Sequence, residues 1–299
     1  MQATNISKTD QRSFVSDFLE LTKFRLAISV MFSSLAGYVL ATDRYEVTTL
    51  LLLWIGGYGM VGASNAFNQV IEADFDAQMK RTRNRPVPAG RMSKSMGVQI
   101  GSTLTIIGTL VLYYINARTA FFGLLSLLIY VAAYTPLKRK SSLSVFVGAF
   151  PGAIPFMLGW VAATGKFGIE PGVLFMVQFF WQFPHFWAIG WMLEEDYSKA
   201  GFKMLPTGGA NQQTVFLIVL YTLWTIVVSL LPMAPYTGNL HLSMYGGVGI
   251  IVLGLGMLYF ALQLMRDSSK ETARKLMYAS ILYITALQLI YVFDKLLIG

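Results

Sequence analysis

The chain has 299 residues, of which 55% are hydrophobic and 13% charged, and its mean hydropathy is +0.56. A soluble domain of this length does not need so much apolar surface, so the composition indicates an integral membrane protein. Cysteine is absent, which excludes disulfides and thiolate metal sites. The net charge of +8 lies in short segments between apolar stretches, which argues against nucleic acid as a partner.

Nine apolar segments are long enough to cross a bilayer as α-helices, and no soluble domain is indicated between them. We therefore predict an all-α membrane protein with nine transmembrane helices. A polar N-terminal segment over residues 1–24 precedes one membrane domain over residues 25–299. The predicted spans are 25–42, 48–73, 95–115, 119–137, 143–164, 171–193, 213–232, 243–265 and 275–297.

Basic residues are distributed unequally over the segments that connect the predicted spans. With the N-terminus in the cytoplasm, nineteen of the 23 Lys and Arg residues fall on the cytoplasmic side. The external side then holds only Arg44, Arg118, Lys166 and Lys295. Because cytoplasmic loops carry the excess of Lys and Arg, this pattern predicts a cytoplasmic N-terminus and an external C-terminus. In a bacterium the membrane is expected to be the cytoplasmic (inner) membrane.

The end of the second predicted span carries three polar side chains at helical spacing. Asn68, Glu72 and Asp76 follow at i, i+4 and i+8, which places them along nearly one helix face over roughly 12 Å. The solvated end of a helix would explain them, but carboxylates on a bundle-facing stripe are costly and usually functional. Arg81 and Arg85 follow within two turns. This region therefore predicts a site for a divalent metal and a diphosphate.

Two later cytoplasmic segments combine polar or aromatic side chains with cations. Tyr134 precedes a basic cluster that begins at Lys138, at the end of the fourth span. The segment after the sixth span contributes four further candidates for the site, which are Asp196, Tyr197, Lys199 and Lys203. The second and sixth spans are four apart, so we expect each to bring an acidic helix end to one shared cavity. That cavity is expected to open toward the cytoplasm.

Three motifs in this order resemble the UbiA superfamily of intramembrane prenyltransferases, and the resemblance covers the whole chain. The stretch 68–86 resembles the first motif of that superfamily, and Tyr134 with Lys138 resembles its tyrosine–lysine motif. The run DYSKAGFKMLP, at 196–206, is unlike the second Asp-x-x-x-Asp motif of quinone-forming members. It is similar instead to the branch of the superfamily that farnesylates heme.

Two further features point to the same branch, while other positions depart from the pattern, including the run KSSLSV that begins at residue 140. Glu72 stands where most relatives carry Asp, and the run PHFW occupies 184–187. Phe24 and Phe156 stand where the resemblance leads us to expect proline. The departures leave every assigned site residue in place and indicate a divergent member.

The resemblance implies a reaction and a role for each of the site residues. Such enzymes ionise an allylic diphosphate with Mg²⁺ or Mn²⁺ and deliver the carbocation to an aromatic or vinylic carbon. This branch implies farnesyl diphosphate as donor and a vinyl group of heme B as acceptor, with heme B a substrate rather than a cofactor. The expected metal-binding residues are Asn68, Glu72, Asp76 and Asp196. The expected diphosphate and substrate contacts are Lys138, Arg81, Arg85, Tyr134, Tyr197, Lys199 and Lys203, with Phe67, Phe75 and the rings of the sixth span around the carbocation.

The sequence leaves two alternatives open. One is a related prenyltransferase that acts on a quinone precursor or another aromatic or tetrapyrrole acceptor, against which the run 196–206 argues. The other is a transporter or heme chaperone, which should place charges near the bilayer midplane, whereas the acidic groups here cluster at one face. Expected partners besides the substrates are membrane lipid and, downstream, a heme A synthase or heme–copper oxidase assembly.

The sixth predicted span carries a polar stripe among its aromatic residues. Gln178, Gln182 and His185 follow at i, i+4 and i+7, and Asp196 continues that face if the helix persists. A polar stripe at bilayer depth is expected to face a cavity, here with Gln182 and His185 beside the acceptor. Three roles stay open for His185: an axial ligand to heme iron, a hydrogen-bond partner of a propionate, or a packed residue that satisfies Gln182. His241, the other histidine, is expected on the external surface.

Overall fold

The computed structural model describes residues 13–298, and all regular structure within that range is helical. The α-helices are α1 (Phe14–Leu21), α2 (Phe24–Ala41), α3 (Val47–Asp76), α4 (Lys94–Ile115), α5 (Ala117–Leu128), α6 (Thr135–Lys140), α7 (Leu143–Thr164), α8 (Ile169–Met192), α9 (Glu194–Lys199), α10 (Gln212–Ser229), α11 (Met244–Asp267) and α12 (Lys270–Ile298). A π-helical turn (Ile129–Tyr134) joins α5 to α6, and a 3₁₀ turn (Leu231–Met233) follows α10.

Eight helical stretches within residues 13–298 are long and apolar enough to cross a membrane. They correspond to eight of the nine predicted spans. The predicted sixth span forms the 24-residue helix α8, but it is less apolar because Gln178, Gln182, Pro184 and His185 interrupt its hydrophobic residues. The length of α8 is still sufficient for a crossing, since a helix of that length spans roughly 36 Å.

The long helices form a closed bundle in which consecutive helices pack against each other. Contacts run from α2 through α3, α4, α5, α7, α8, α10 and α11 to α12, which returns to α2. Inside this ring, α7 also packs along α2, and α8 packs along α12. The bundle therefore has two central contacts, between α2 and α7 and between α8 and α12, around which the outer helices are arranged.

The contact between α2 and α7 depends on small residues. A Cβ atom added at Gly37 would collide with the carbonyl of Phe156, and one added at Gly159 would collide with the carbonyl of Ser34. Membrane helices approach this closely where glycine leaves the backbone uncovered. Phe156, at a position where the resemblance predicted proline, is fully buried and its ring stacks on Tyr291 with centroids 6.5 Å apart.

The segments that connect the helices divide between two ends of the bundle. At one end, which we call the site end, the Lys203 amide donates to the Lys138 carbonyl at 2.8 Å, and the Arg139 guanidinium lies 4.0 Å from the Phe75 ring centroid. At the other, the far end, Glu170 at the start of α8 accepts a hydrogen bond from the Asn239 amide at 3.1 Å. Because α8 ends beside the site-end segments, it extends from one end of the bundle to the other.

The N-terminal segment contains a short helix that the sequence did not predict. In α1 the Ser13 hydroxyl caps the first turn, and the helix is held to the segment after α3 by Arg91. The Arg91 guanidinium lies 2.9 Å from Asp17 and 3.4 Å from Glu20. Arg91 is thus an anchor of α1. The predicted start of the first span agrees within one residue with Phe24, and residues 1–12 lie outside the described range.

Candidate active site

The polar end of α3 is enclosed by protein rather than solvated. Asn68, Glu72 and Asp76 are 1%, 4% and 1% exposed. The chain turns back after Asp76, where the Thr82 hydroxyl donates to the Asp76 carbonyl at 2.8 Å and stabilises this turn. The spacing that predicted one helix face is therefore correct, and that face is turned into the protein interior. The alternative of a solvated helix end does not describe these residues.

Each of the two buried carboxylates is paired with a cation from another segment. The Lys138 ammonium lies 2.9 and 3.1 Å from the two oxygens of Glu72. The Arg85 guanidinium lies 2.7 Å from Asp76. A buried carboxylate needs such a partner because the loss of hydration is otherwise uncompensated. The first motif and the tyrosine–lysine motif, distant in sequence, thus meet in one cluster.

A π-helical turn positions the tyrosine–lysine motif. The Thr135 hydroxyl donates to the carbonyl of Tyr130, five residues earlier, and accepts a hydrogen bond from the Asn68 amide at 3.3 Å. The Tyr134 ring lies 4.5 Å from the Lys138 ammonium, which is a cation–π distance. Single π-helical turns are often found at functional sites, and this one places the Lys138 side chain against Glu72.

The segment after α8 lies beside this cluster. The Arg81 guanidinium is 3.5 Å from the Tyr197 hydroxyl and 5.9 Å from its ring centroid. The Phe202 ring lies 5.9 Å from the Lys138 ammonium and packs edge-on against Phe75. The segment after α8 therefore lies at the same end of the bundle as the polar end of α3 and contacts it through Tyr197 and Phe202.

Three predicted site residues stand at the edge of this cluster. Asp196 is partly exposed, and the side chains of Lys199 and Lys203 are exposed. None of the three forms a salt bridge with another residue in 13–298. Their assigned roles stay predictions, and all three lie on the segment between α8 and α10. Of the two predicted aromatic residues of α3, Phe75 lies at the cluster, whereas Phe67 packs against Gly101 of α4.

Lys23 belongs to the cluster, although the sequence did not indicate it. It joins α1 to α2 in the left-handed region, with φ of 49°. The Gln69 amide fixes this corner by donating to the carbonyls of Glu20 and Leu21 at 3.3 and 3.2 Å. Burial, followed by the nearby Arg85 and Lys138 charges, lowers the pKa of Lys23 to about 7. In the sequence this lysine reads only as a topological charge before a span.

The cluster offers oxygen ligands that a divalent metal can share with a phosphorylated ligand. Within residues 13–298, no group of three or more His, Asp and Glu side chains is placed to hold a metal. Mg²⁺ typically takes one or two carboxylates and completes its shell with substrate phosphate oxygens and water. Glu72 and Asp76, with the Asn68 amide oxygen on the same face, match that requirement.

The polar stripe of α8 is used for contacts between helices. Gln178 accepts a hydrogen bond from Gln288 of α12 at 3.2 Å, and Gln182 donates to the Ala149 carbonyl of α7 at 2.9 Å. His185 bonds to α12 instead of Gln182, so the three side chains contact two different helices rather than one common cavity. Buried amides pair with the nearest backbone or side chain, which explains the outcome. Gln182 therefore connects α8 to α7, and its expected contact with the substrate stays a prediction.

The fold and the cluster together define a class of protein. An all-helical membrane bundle that buries two carboxylates among several cations at one end is suited to an intramembrane enzyme that acts on a diphosphate ester. Residues 30–284 match the UbiA prenyltransferase family, and the chain belongs to this family.

Close relatives and similar structures agree with this membership. The chain is 61% identical over 283 residues to the protoheme IX farnesyltransferase of Christiangramia forsetii, covering 95% of this chain and 94% of the relative. It is 56% identical to the enzyme of that name from Flavobacterium psychrophilum, covering 96% of both. A digeranylgeranylglyceryl phosphate synthase shares the fold with a TM-score of 0.77 at 17% identity, covering 94% of this chain and 98% of that one. A UbiA homolog from Archaeoglobus fulgidus bound to DMAPP and Mg²⁺ has a TM-score of 0.64 at 14% identity, covering 93% and 99%.

Proposed function

We propose that the protein transfers a farnesyl group from farnesyl diphosphate to a vinyl group of heme B, with water completing the hydroxyethylfarnesyl substituent of heme O and diphosphate leaving. The observation that carries this proposal is the 61% identity, over nearly the whole length of both chains, with a protoheme IX farnesyltransferase. The buried cluster supports it because it supplies the charges that ionisation of an allylic diphosphate requires.

The balance of charge in the cluster favours an anionic ligand. Lys23, Arg81, Arg85 and Lys138 surround two carboxylates, which leaves a surplus of two positive charges when all four cations are protonated. Diphosphate accompanied by one Mg²⁺ still carries net negative charge and would be attracted to this surplus. In a largely dehydrated site these attractions are stronger than in water. The cluster is therefore arranged for the diphosphate head group of the donor.

The side chains of the cluster have separate tasks in the proposed reaction. Glu72 and Asp76, with Asn68, would hold Mg²⁺, and the metal would supply positive charge to the leaving diphosphate. Lys138 and Arg85 transfer their contacts from the carboxylates to phosphate oxygens as negative charge develops there. The Tyr134 ring, 4.5 Å from Lys138, stands where it can stabilise the allylic cation. The cations thus act on the leaving group and the ring on the fragment that remains.

We further propose the predicted topology of nine crossings, with the N-terminus and the site end in the cytoplasm. Two observations support it: α8 reaches both ends of the bundle, and the excess of Lys and Arg lies on the site-end segments. The membrane would be the bacterial inner membrane. The product remains in the bilayer, where a heme A synthase or a heme–copper oxidase under assembly would take it up.

The proposed function can be tested by measuring the conversion of heme B directly. Membranes that contain the protein, supplied with heme B, farnesyl diphosphate and Mg²⁺, should form farnesylated heme, detected by mass spectrometry. A chelator should stop the reaction and added Mg²⁺ restore it. Farnesylation of a phenolic acid with no reaction on heme B would refute the proposed acceptor.

A further inference from the structure

A defined polar arrangement outside the carboxylate cluster lies between α8 and α12. The Nδ1 atom of His185 is 2.8 Å from the Ser280 hydroxyl oxygen. That hydroxyl donates its single proton to the Met277 carbonyl at 2.6 Å, so it can only accept from His185. The hydrogen-bond network therefore assigns the proton of the neutral imidazole to Nδ1 and the lone pair to Nε2.

The plane of the imidazole is fixed as well as its tautomer. The Trp181 ring stacks on His185 with centroids 4.8 Å apart and an interplanar angle of 18°. The Trp181 indole N–H donates to the Ser280 carbonyl at 2.6 Å. One serine of α12 thus holds both rings, one turn apart on α8. Such an outer partner on one ring nitrogen is usual for histidines whose other nitrogen binds a metal.

The Nε2 atom is left available. Within residues 13–298 the groups that bond to the ring are the Ser280 hydroxyl, at Nδ1, and the Met277 carbonyl, which is itself bonded to that hydroxyl at 2.6 Å. Neither is a partner recorded at Nε2, and His185 is only partly buried. Gln178 and Gln182, the other members of the stripe, have their amides engaged with neighbouring helices. His185 lies seven residues before the end of α8, roughly 10 Å below the site end by helical rise. At that depth a porphyrin could bind within the bilayer while its propionates reach the basic site-end segments.

We propose that Nε2 of His185 is an axial ligand to the iron of the acceptor heme and that Ser280 is the positioning residue that fixes its tautomer. This inference rests on the proposed function, which supplies heme as the acceptor. Ligation forms one coordinate bond from the Nε2 lone pair to iron and transfers no electron. It would hold the macrocycle in one orientation while the reaction proceeds at its edge.

The chain permits a sharp test because it contains only two histidines. The full-length protein in lipid nanodiscs is titrated with ferric heme B and with iron-free protoporphyrin IX. We expect His185→Ala to shift the Soret band of bound heme and to lower heme affinity at least about tenfold, with unchanged affinity for protoporphyrin IX. Added imidazole should restore the band. His241→Ala, at an exposed far-end position, is the matched control and should leave the band and both affinities unchanged.

Ser280→Ala supplies a second measurement that does not remove the ligand. We expect it to keep the Soret band but weaken heme binding about tenfold, again without an effect on protoporphyrin IX. If His185→Ala does not fold, as judged by gel filtration, ligation is tested by Ser280→Ala alone. A loss of affinity for heme but not for protoporphyrin IX then supports it. An equal loss of affinity for both porphyrins would overturn the proposal, because it would indicate a propionate contact or a packing role.

Failure of the inference can be separated from failure of the proposed function. A wild-type Soret band and heme affinity in His185→Ala would overturn ligation, even if farnesyl transfer to heme proceeds. Absence of farnesyl transfer by the wild-type protein, with the histidine-dependent band intact, would refute the proposed function and leave ligation standing.

Discussion

Both ends of the bundle carry carboxylates and cations, but the two sets have different partners. At the far end, Asp294 accepts from the Ser243 amide at 2.7 Å, where α11 begins. Lys295 donates to the carbonyls of Val39 and Thr42 at 3.0 and 2.8 Å, where α2 ends. Each of these charges satisfies backbone groups that a helix terminus leaves unpaired, and each has the sign that the helix dipole favours.

Glu72 and Asp76, the paired carboxylates of the site end, satisfy no such requirement. Glu72 lies a full turn inside α3, and its partner Lys138 comes from α6. Asp76 is paired with Arg85, from the segment that follows α3. Buried ion pairs of this kind contribute little stability compared with apolar residues of similar size. Asp294 and Lys295 are therefore explained by folding alone. The burial of Glu72 and Asp76 needs a function to explain it.

The largest expected effect comes from removing one site-end carboxylate without changing its shape. Asp76→Asn should lower turnover of farnesyl diphosphate about 100-fold or more at saturating Mg²⁺, since electrostatic stabilisation of this kind is worth about 3–4 kcal/mol. The protein should still fold because the freed Arg85 is partly exposed. Turnover is measured in membranes, and folding is checked by gel filtration. Turnover near the wild-type value would remove Asp76 from the site and weaken the distinction between the two ends.

The second effect concerns the cations. Lys138→Gln should raise the Michaelis constant for farnesyl diphosphate about 10- to 100-fold, because a charge-assisted contact is worth about 1.5–3 kcal/mol. Arg83→Gln is the matched control: Arg83 lies between Arg81 and Arg85 in the segment after α3, but it is exposed and forms no salt bridge in residues 13–298. Its Michaelis constant should stay within about twofold of the wild type. Equal effects at both positions would indicate a diffuse surface potential rather than a defined diphosphate site.

The third effect is a dependence on pH that only Lys23 should cause. Its pKa of about 7 means that much of the ammonium is neutral above pH 7, so the Michaelis constant for farnesyl diphosphate should rise by up to about tenfold per pH unit. Substrate binding should therefore weaken as the pH rises, whereas the folded protein should become more stable. The unfolded chain holds this proton up to its ordinary pKa of 10.5, so stability increases with pH above 7.

Lys23→Arg separates this titration from that of the substrate. A guanidinium stays protonated throughout the range, so the variant should keep a low Michaelis constant between pH 7 and 9. Arg81, Arg85, Lys138 and Glu72 are the charges that act on Lys23, and all are unchanged in this variant. If Lys23→Arg retains the wild-type slope, the titrating group is elsewhere, for example on the diphosphate itself.

The helices could be predicted from the sequence because their signal is local. The predicted span 143–164 has the bounds of α7, and the face of α3 follows from a spacing of four residues. The π-helical turn Ile129–Tyr134 could not be predicted, because it depends on hydrogen bonds from Thr135 to the carbonyl five residues earlier, and hydrophobic periodicity does not reveal them. The helix α1 is too short to be recognised by periodicity and owes its position to Arg91.

Site residues that belong to a sequence motif could be predicted. Residues that reach the site only through the packing of the helices could not. Glu72 and Lys138 lie in motifs and were expected in one site. Lys23 was not, because its role depends on a left-handed corner held by Gln69. The stripe of α8 was correctly predicted as polar, but helix spacing cannot reveal that Gln182 would pair with the backbone of α7. Helix packing determines which partner a buried polar group has, and that packing cannot be read from a single sequence.

The smallest expected effect tests the far end. Asp294→Asn removes a charge that holds the start of α11, so it should destabilise the fold by about 1 kcal/mol, as the loss of a helix cap does. It makes the same chemical change as Asp76→Asn, but turnover and the Michaelis constant should match the wild type, because no residue of the cluster contacts Asp294. The measurements are the thermal midpoint in nanodiscs and turnover well below it. A large loss of turnover in a folded Asp294→Asn protein would show that charge at either end supports catalysis, and the contrast between capping and catalytic charges would no longer hold.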